Sequence, residues 1–249
     1  MRGSISAKGL WKAFSTQTGP LSVLEGMDLS VASGEFVALI GPSGSGKSTL
    51  LDILSGFERP DQGEVLVDGQ PLDGPSPKRI LIPQSASVFP WLSARRNLKF
   101  VQNGVPEAEK KRLTEHYLNM VGLSDFQYAY PYELSGGMLK RLDIARALVV
   151  KPDILFMDEP FGSIDAMTRL KLRTELQRLF SVERHTVLLV THDVEDALHL
   201  ADRIVILTER PARVQRIVEV PFQHSRSLTS IQMTNLKKEI LLDLGLDIG

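Results

Sequence analysis

Short apolar segments recur along the chain, and each is followed by a polar or turn-forming residue. Five of them have the length of strands and are rich in β-branched residues: EFVALIG, RILIPQ, DILFMDEP, TVLLVTHD and RIVILTE. Because several are apolar at every position, they are typical of strands covered on both faces of a parallel sheet. Helical patterns lie between them, after Gly46, Asp165 and Asp193. This alternation predicts an α/β fold with a doubly wound sheet.

The stretch from residue 85 to residue 149 has a different pattern. Apolar residues recur there at helical spacing, the run SGGMLKRLDIARALVV predicts a further helix, and no segment reads as a convincing strand. We therefore predict that residues 85–149 form a helical subdomain inserted into an α/β core of residues 1–84 and 150–225. A last amphipathic helix is predicted within residues 226–249.

Composition narrows the class of protein. The chain has 249 residues, 0 cysteines and a formal net charge of -1. The lack of cysteine excludes disulfides, thiolate metal sites and cysteine nucleophiles. A nearly neutral chain gives no electrostatic reason to expect nucleic-acid binding. Apolar runs such as FVALI are far shorter than the ~20 residues of a membrane helix, so we expect no membrane span.

The segment GPSGSGKST follows one predicted strand and opens a predicted helix. Its glycines allow successive backbone N–H groups to curl round phosphate oxygens, and the helix N-terminus favours negative charge. Lys47 is predicted to reach the β- and γ-phosphates, and the Ser48 hydroxyl to bind Mg²⁺. The predicted phosphate-binding positions are Gly41, Pro42, Ser43, Gly44, Ser45, Gly46, Lys47, Ser48 and Thr49.

Polar side chains also follow three other predicted strands. Asp158 suits a water-mediated contact with Mg²⁺, and Glu159 suits a general base for the attacking water. Gln84 is predicted to be the last residue of the strand RILIPQ and is expected to bind Mg²⁺ or orient water, although a glutamine at a strand end commonly has no role. His192, after TVLLVT, is expected to contact the γ-phosphate, with a structural role as the alternative. These residues lie at the carboxyl ends of their strands, and ligands bind at that edge of a doubly wound sheet.

A second anion-binding helix start is predicted at LSGGM. Ser135 is a typical N-cap residue, and Gly136 and Gly137 leave backbone N–H groups open to close approach. The chain therefore has two predicted anion sites, and these residues alone do not say what the second one binds.

Taken in order, the segments GPSGSGKST, LIPQ, LSGGM, ILFMDEP, GSID and LVTHD resemble a known set of motifs. They are similar to Walker A, the Q-loop, the signature, Walker B, the D-loop and the H-loop of the ATP-binding cassette (ABC) ATPases. The resemblance covers nearly the whole chain as one nucleotide-binding domain, and implies ATP and Mg²⁺ as ligands. It implies an N-terminal antiparallel β subdomain beside the core. Phe14 resembles the aromatic residue that stacks on adenine, with Trp11 as the alternative.

The resemblance also implies partners. In this family two cassettes pair head to tail, and each ATP lies between Walker A of one and the signature of the other. The second cassette would be another copy of this chain or a paralogue. Asp165 falls in the D-loop, and the signature residues expected to contact the partner's ATP are Ser135, Gly136, Gly137 and Met138. The expected location is peripheral, on the cytoplasmic face of the inner or plasma membrane.

Four features resemble the nitrate, sulfonate and taurine importer branch: VFPWLSARRNLKF, Met138 in place of the usual signature glutamine, DEPFGSIDAMTR and ERPARVQRIVEVPF. The resemblance implies uptake of a small anion or small organic solute through a permease and, indirectly, a solute-binding protein. Phe89 to Leu92 are expected to form a groove for a permease helix or to be ordinary core. An exporter or lipid-trafficking cassette, and a soluble cassette acting on nucleic acid or ribosomes, are the alternatives.

Three residues depart from the family pattern. Lys140 and Asp143 replace the usual glutamine and alanine after the signature. Asp143 is predicted to form a surface pair with Lys140 or Arg146, which would contribute little to stability. Pro83, directly before Gln84, is expected to stiffen the Q-loop.

Overall fold

The computed structural model describes residues 3–220 and 230–246. Strands and helices alternate through most of these residues. In chain order the strands are β1 (Ile5–Thr16), β2 (Gly19–Val31), β3 (Phe36–Ile40), β4 (Gln62–Val67), β5 (Gln70–Pro71), β6 (Arg79–Ile82), β7 (Ile154–Asp158), β8 (Thr186–Val190), β9 (Arg203–Leu207) and β10 (Val214–Glu219). The α-helices are α1 (Lys47–Ser55), α2 (Ala94–Phe100), α3 (Glu107–Met120), α4 (Gly136–Leu148), α5 (Ala166–Glu183), α6 (Val194–Leu200) and α7 (Ile231–Asp243).

Two sheets build the α/β fold, which confirms the predicted fold class. The central sheet has the order β10-β9-β3-β8-β7-β6, and the smaller N-terminal sheet has the order β2-β1-β4-β5. β9, β3, β8, β7 and β6 run parallel, whereas β10 joins β9 antiparallel. The pairs of the smaller sheet are antiparallel. All five apolar segments became strands of the central sheet.

The central strands are apolar throughout because both faces of the sheet are covered. In β3 all five residues are buried: Phe36, Ala38 and Ile40 point into one hydrophobic cluster, and Val37 and Leu39 into another. The first cluster contains apolar residues of α2 to α7, and the second contains those of α1 and the smaller sheet. The alternation of side chains along a strand therefore joins two cores across one sheet.

The predicted insertion corresponds to a run of helices between β6 and β7. α2, α3 and α4 occupy it together with two short 3-10 segments, Ser124–Phe126 and Pro131–Glu133. Tyr117 and Leu118 of α3 are almost wholly buried against the first cluster. The prediction that β6 extends to Gln84 was wrong, because the strand ends at Ile82 and Pro83 has no N–H to extend the ladder.

The last helix packs against the core by a short apolar face. In α7, Met233 and Ile240 are buried, and Lys237 pairs with Glu195 of α6 at 2.6 Å. The predicted segment 226–249 is described only from residue 230 to residue 246. Within the described ranges, no helix combines the length and apolar character needed to cross a membrane.

The predicted pairing of Asp143 with Arg146 is confirmed, but the prediction that this pair lies at the surface was wrong. Asp143 is 2% exposed, and its carboxylate accepts a hydrogen bond from the Arg146 guanidinium at 2.8 Å. It is buried because α4 packs against the segment that follows β6, where the Ser87 N–H donates to the same carboxylate at 2.9 Å. A buried pair is costly to break, since removing one partner leaves an uncompensated charge.

Candidate active site

The loops that follow five parallel strands meet at one edge of the central sheet. They contribute the glycine-rich loop after β3, Gln84 after β6, Glu159 after β7, His192 after β8 and Arg210 after β9. A cavity of about 430 Å³ opens at this edge. Its lining residues are Phe14, Leu21, Val23, Ser43, Gly44, Gly46, Lys47, Ser48, Thr49, Gln84, Glu159, Val190 and Arg210.

The loop between β3 and α1 has the geometry of a phosphate cradle. Gly44 and Gly46 have φ angles of 73° and 109° in the left-handed region, and a Cβ at Gly46 would lie 2.6 Å from Val23 Cγ1. Only glycine fits at position 46 without strain or overlap. The Ser45 hydroxyl is buried and has no hydrogen-bond partner among the described residues. The loop therefore contains a buried donor without a partner in that part of the chain, between the cavity-lining residues Gly44 and Gly46.

The Lys47 ammonium lies beneath this loop. It is 6% exposed and donates hydrogen bonds to the carbonyls of Gly41 at 2.9 Å and Pro42 at 2.7 Å. Burial lowers the pKa of Lys47, while Glu159 and Asp158 act in the opposite direction. A buried cation is thus held by two carbonyls of the glycine-rich loop, at the N-terminus of α1, which suits a phosphate group.

Glu159 is the most constrained carboxylate of the site. Its φ of 44° is in the left-handed region, and its N–H donates to the Val190 carbonyl at 2.9 Å. The carboxylate accepts from Gln84 Nε2 at 3.3 Å and lies 3.2 Å from His192 Nδ1. Backbone strain of this kind costs about 1–3 kcal/mol and is frequent at functional sites. Three strand ends therefore converge on one carboxylate.

Asp158 lies one residue earlier and is buried at the end of β7. Burial raises the pKa of its carboxyl, and a hydrogen bond from the Ser48 side chain opposes that rise. Within the described residues no group of three His, Asp or Glu side chains forms a metal site. A serine hydroxyl, an amide oxygen and one carboxylate do fit Mg²⁺, which completes its shell with phosphate oxygens and water.

Of the two aromatic residues that are candidates for stacking on adenine, only one lines the cavity. Phe14 and Trp11 are both 38% exposed, but Phe14 lines the cavity and Trp11 does not. The Lys12 ammonium lies 5.2 Å from the centre of the Phe14 ring. Phe14 is therefore the aromatic surface available beside the phosphate loop.

The second predicted anion site is separate from this cavity. Ser135 caps α4 by accepting from the Met138 N–H at 3.3 Å, and neither these two residues nor Gly136 and Gly137 line the cavity. Asp165 also lies outside it and caps α5 by accepting from the Thr168 N–H at 3.0 Å. Within one chain the two helix starts do not share a ligand cavity.

Gly137 packs closely against the loop between β7 and α5. A Cβ at this position would lie 2.9 Å from the Ser163 carbonyl oxygen and 3.5 Å from Ile164 Cα. At Gly136 the nearest atom, Ser163 Cβ, is 4.0 Å away. The second glycine therefore permits close contact between the signature and the D-loop of the same chain.

Sequence reasoning missed Arg210, Leu21 and Val23 as lining residues. Arg210 follows β9, the strand beside β3, so the rule that ligands bind at the carboxyl ends of parallel strands could have found it. Leu21 and Val23 lie on β2 of the smaller sheet, and only the tertiary structure brings them to the loop.

The aromatic residues after the Q-loop are largely at the surface. Trp91 is 68% exposed, and its ring centre lies 5.6 Å from that of Phe89, which in turn is 5.0 Å from that of Phe100. Phe100 is also exposed. Trp91 is therefore not an ordinary core residue, and we name Phe89, Trp91 and Phe100 the aromatic patch.

The fold and the site define a P-loop ATPase. The N-terminus of α4, at Ser135, lies outside the nucleotide cavity, as in an ATP-binding cassette. A family model for the ABC transporter matches residues 24–162. A nitrate import ATP-binding protein of Synechococcus elongatus is 43% identical, over 88% of this chain and 82% of that protein. A bicarbonate transport ATP-binding protein of Synechocystis is 42% identical, over 89% and 80% respectively.

Solved structures agree with these matches. A dimeric cassette in a post-hydrolysis state, bound to ADP and Pi, has a TM-score of 0.79 and 28% identity, covering 88% of this chain and 100% of that one. The chain belongs to the ABC transporter family and is an ATP-binding cassette ATPase.

Proposed function

We propose that this chain is the ATPase subunit of an ABC importer, and that it energises uptake of a small anion or small organic solute. Relatives named for nitrate import and for bicarbonate transport support the importer branch. The solute class comes from these relatives, because the nucleotide cavity carries no information about the transported molecule.

The observation that carries the hydrolytic role is the environment of Glu159. Its carboxylate is held by Gln84 and His192 at one rim of the cavity that Lys47 lines. A carboxylate fixed in this way is suited to take a proton from an attacking water, while Lys47 stabilises charge on the phosphates. Phe14 provides the surface on which adenine stacks.

Magnesium would be held by the Ser48 hydroxyl and the Gln84 amide oxygen, with Asp158 acting through a water. When bound, the ion neutralises part of the phosphate charge. The Ser48 side chain also lowers the pKa of the Asp158 carboxyl, against the effect of burial, which agrees with two ligands of one ion. Burial of Asp158 provides a strong reason for a cation at this position.

The separation of the two helix starts supports a head-to-tail dimer. Ser135, Gly136 and Gly137 lie outside the cavity that contains Lys47, so they would complete the site of a second cassette. The solved neighbours are dimeric. ATP would then supply the charge that satisfies both helix starts, and loss of phosphate would release the dimer.

The membrane partner is a permease, reached through the aromatic patch. Exposed aromatic clusters are typical of surfaces that bind other proteins, and this one lies directly after the Q-loop. The chain would thus be a peripheral subunit at the cytoplasmic face of the inner or plasma membrane. A solute-binding protein would contact the permease and not this chain.

The enzymatic part is tested with Glu159→Gln in the full-length chain. We expect hydrolysis to fall by at least a hundredfold, while ATP is still bound and an ATP-dependent dimer accumulates in size-exclusion chromatography. Glu64→Gln, at an exposed glutamate of β4, is the matched control and should behave like the unaltered chain. A Glu159→Gln chain that stays monomeric with ATP, alone and in its membrane complex, contradicts the ATP-bridged dimer.

The transport part is tested by a tagged pull-down from detergent-solubilised membranes of the native host. Recovery of a multi-span permease in near-stoichiometric amount supports the importer assignment, and its identity narrows the solute class. Recovery of soluble partners alone, such as ribosomes, argues against it and leaves the ATPase intact.

A further inference from the structure

Three polar residues of α4 lie on one face of the helix, at spacings of three. They are Lys140, Asp143 and Arg146, and because a helix has 3.6 residues per turn they point in similar directions. We name them the α4 strip. All three contact the segment of residues 83–89, which connects β6 to the aromatic patch.

The first member binds the start of this segment. The Lys140 ammonium is 4% exposed and donates to the Pro83 carbonyl at 2.5 Å. Pro83 directly precedes Gln84, whose amide contacts Glu159. Burying an ammonium is costly unless it is hydrogen-bonded, so this contact is expected to be formed persistently.

The other two members bind the middle and end of the segment. The Asp143 carboxylate accepts from the N–H of Ser87 at 2.9 Å and from its hydroxyl at 3.1 Å. Arg146 donates to the same hydroxyl at 2.7 Å, and its guanidinium lies 4.9 Å from the centre of the Phe89 ring. A charged, largely buried network of this kind fixes geometry, because each member completes the hydrogen bonds of another.

The signature residue Ser135 caps the N-terminus of the same helix. The α4 strip therefore connects the signature helix with the residue before the catalytic amide. We propose that Lys140, with Asp143 and Arg146, fastens residues 83–89 to α4 and thereby positions the Gln84 amide against Glu159. This inference rests on the proposed role of Glu159 and makes Lys140 a positioning residue.

The test compares Lys140→Met with the unaltered full-length chain. Methionine preserves the length of the side chain and removes the donor. Two quantities are measured: kcat and KM for ATP, and hydrogen–deuterium exchange of peptides covering residues 84–89 without nucleotide. Lys111→Met, at an exposed lysine of α3 in the same run of helices, is the matched control.

We expect Lys140→Met to speed exchange of residues 84–89 at least threefold and to lower kcat at least fivefold, with KM within twofold. A lower kcat with unchanged exchange overturns the proposal, because Lys140 would then affect hydrolysis without holding residues 83–89 against α4. Faster exchange with unchanged kcat also overturns it, because fastening would not position Gln84.

A second variant separates these results from general unfolding. Ser87→Ala removes a hydroxyl that both Asp143 and Arg146 contact, and should also raise exchange in residues 84–89 and lower kcat, by a smaller factor. Equal effects of this variant on exchange in α1 and β3 contradict a local role. If the unaltered chain hydrolyses no ATP, the proposed function fails, while the exchange comparison still decides whether Lys140 fastens the segment.

Discussion

Gly137→Ala measures how closely the signature helix packs against the D-loop. The added Cβ would lie 2.9 Å from the Ser163 carbonyl oxygen, a backbone atom that cannot rotate away. Overpacking of this kind costs about 1–3 kcal/mol. Alanine is favoured over glycine inside a helix by about 1 kcal/mol, so the net change in the free energy of unfolding is a loss of about 0–2 kcal/mol.

Gly136→Ala is the matched control for this substitution. It adds the same group one residue earlier in the same helix, where the nearest atom is 4.0 Å away. The gain in helix propensity is then unopposed. The difference between the two variants isolates the contact with Ser163, and we expect it to be about 1–3 kcal/mol in the free energy of unfolding.

Thermal unfolding followed by circular dichroism reads out this difference. For a chain of this size 1 kcal/mol shifts Tm by about 2–4 °C, so Gly137→Ala should melt about 2–12 °C below Gly136→Ala. Equal melting temperatures would refute the reasoning, because they would mean that the D-loop moves away from α4 without cost.

Three further predictions concern the base site, a buried carboxyl and the aromatic patch. Phe14→Ala should raise KM for ATP about tenfold in an ATPase assay, since stacking on a nucleotide base contributes about 1–3 kcal/mol. Trp11→Ala should change KM less than twofold. Equal effects of the two substitutions would contradict the assignment of Phe14 as the ring that stacks on adenine. Burial raises the pKa of the Asp196 carboxyl to about 6, although the charge of Arg173 at 3.2 Å opposes this rise. The folded chain therefore binds this proton more tightly than the unfolded chain. The free energy of unfolding, measured in urea, should therefore fall as pH rises from about 4 to 6, and Asp196→Asn should remove that part of the slope. Trp91→Ala should reduce recovery of the permease in a membrane pull-down without lowering Tm; undiminished recovery would argue against the patch as the docking surface.

Much of the fold could be predicted because its signals are local. Each residue of β3 is apolar because both faces of the strand are covered, and a glycine-rich loop before a helix needs only neighbouring residues to be recognised. Ser135 and Asp165 can likewise be predicted as helix N-caps from the residues that directly follow them. In each case the signal is contained in a few consecutive residues.

The remaining features depend on residues far apart in the chain. Asp143 reads as a surface residue on a helical projection, but the segment after β6 covers it. Gly137 reads as an open anion site, yet it also meets Ser163 through tertiary packing. Arg210 reaches the cavity only through the strand order, which places β9 beside β3.

The strand order also has a consequence for synthesis of the chain. β3 carries the phosphate loop, and its two neighbours in the sheet are β8 and β9, which follow it by roughly 150 residues. At about 5–20 residues per second the ribosome needs about 8–30 s to make that length. During this interval β3 and its phosphate loop have been synthesised, but β8 and β9, with which β3 pairs in the sheet, have not. A nascent chain that stops before β8 should therefore be unable to retain ATP.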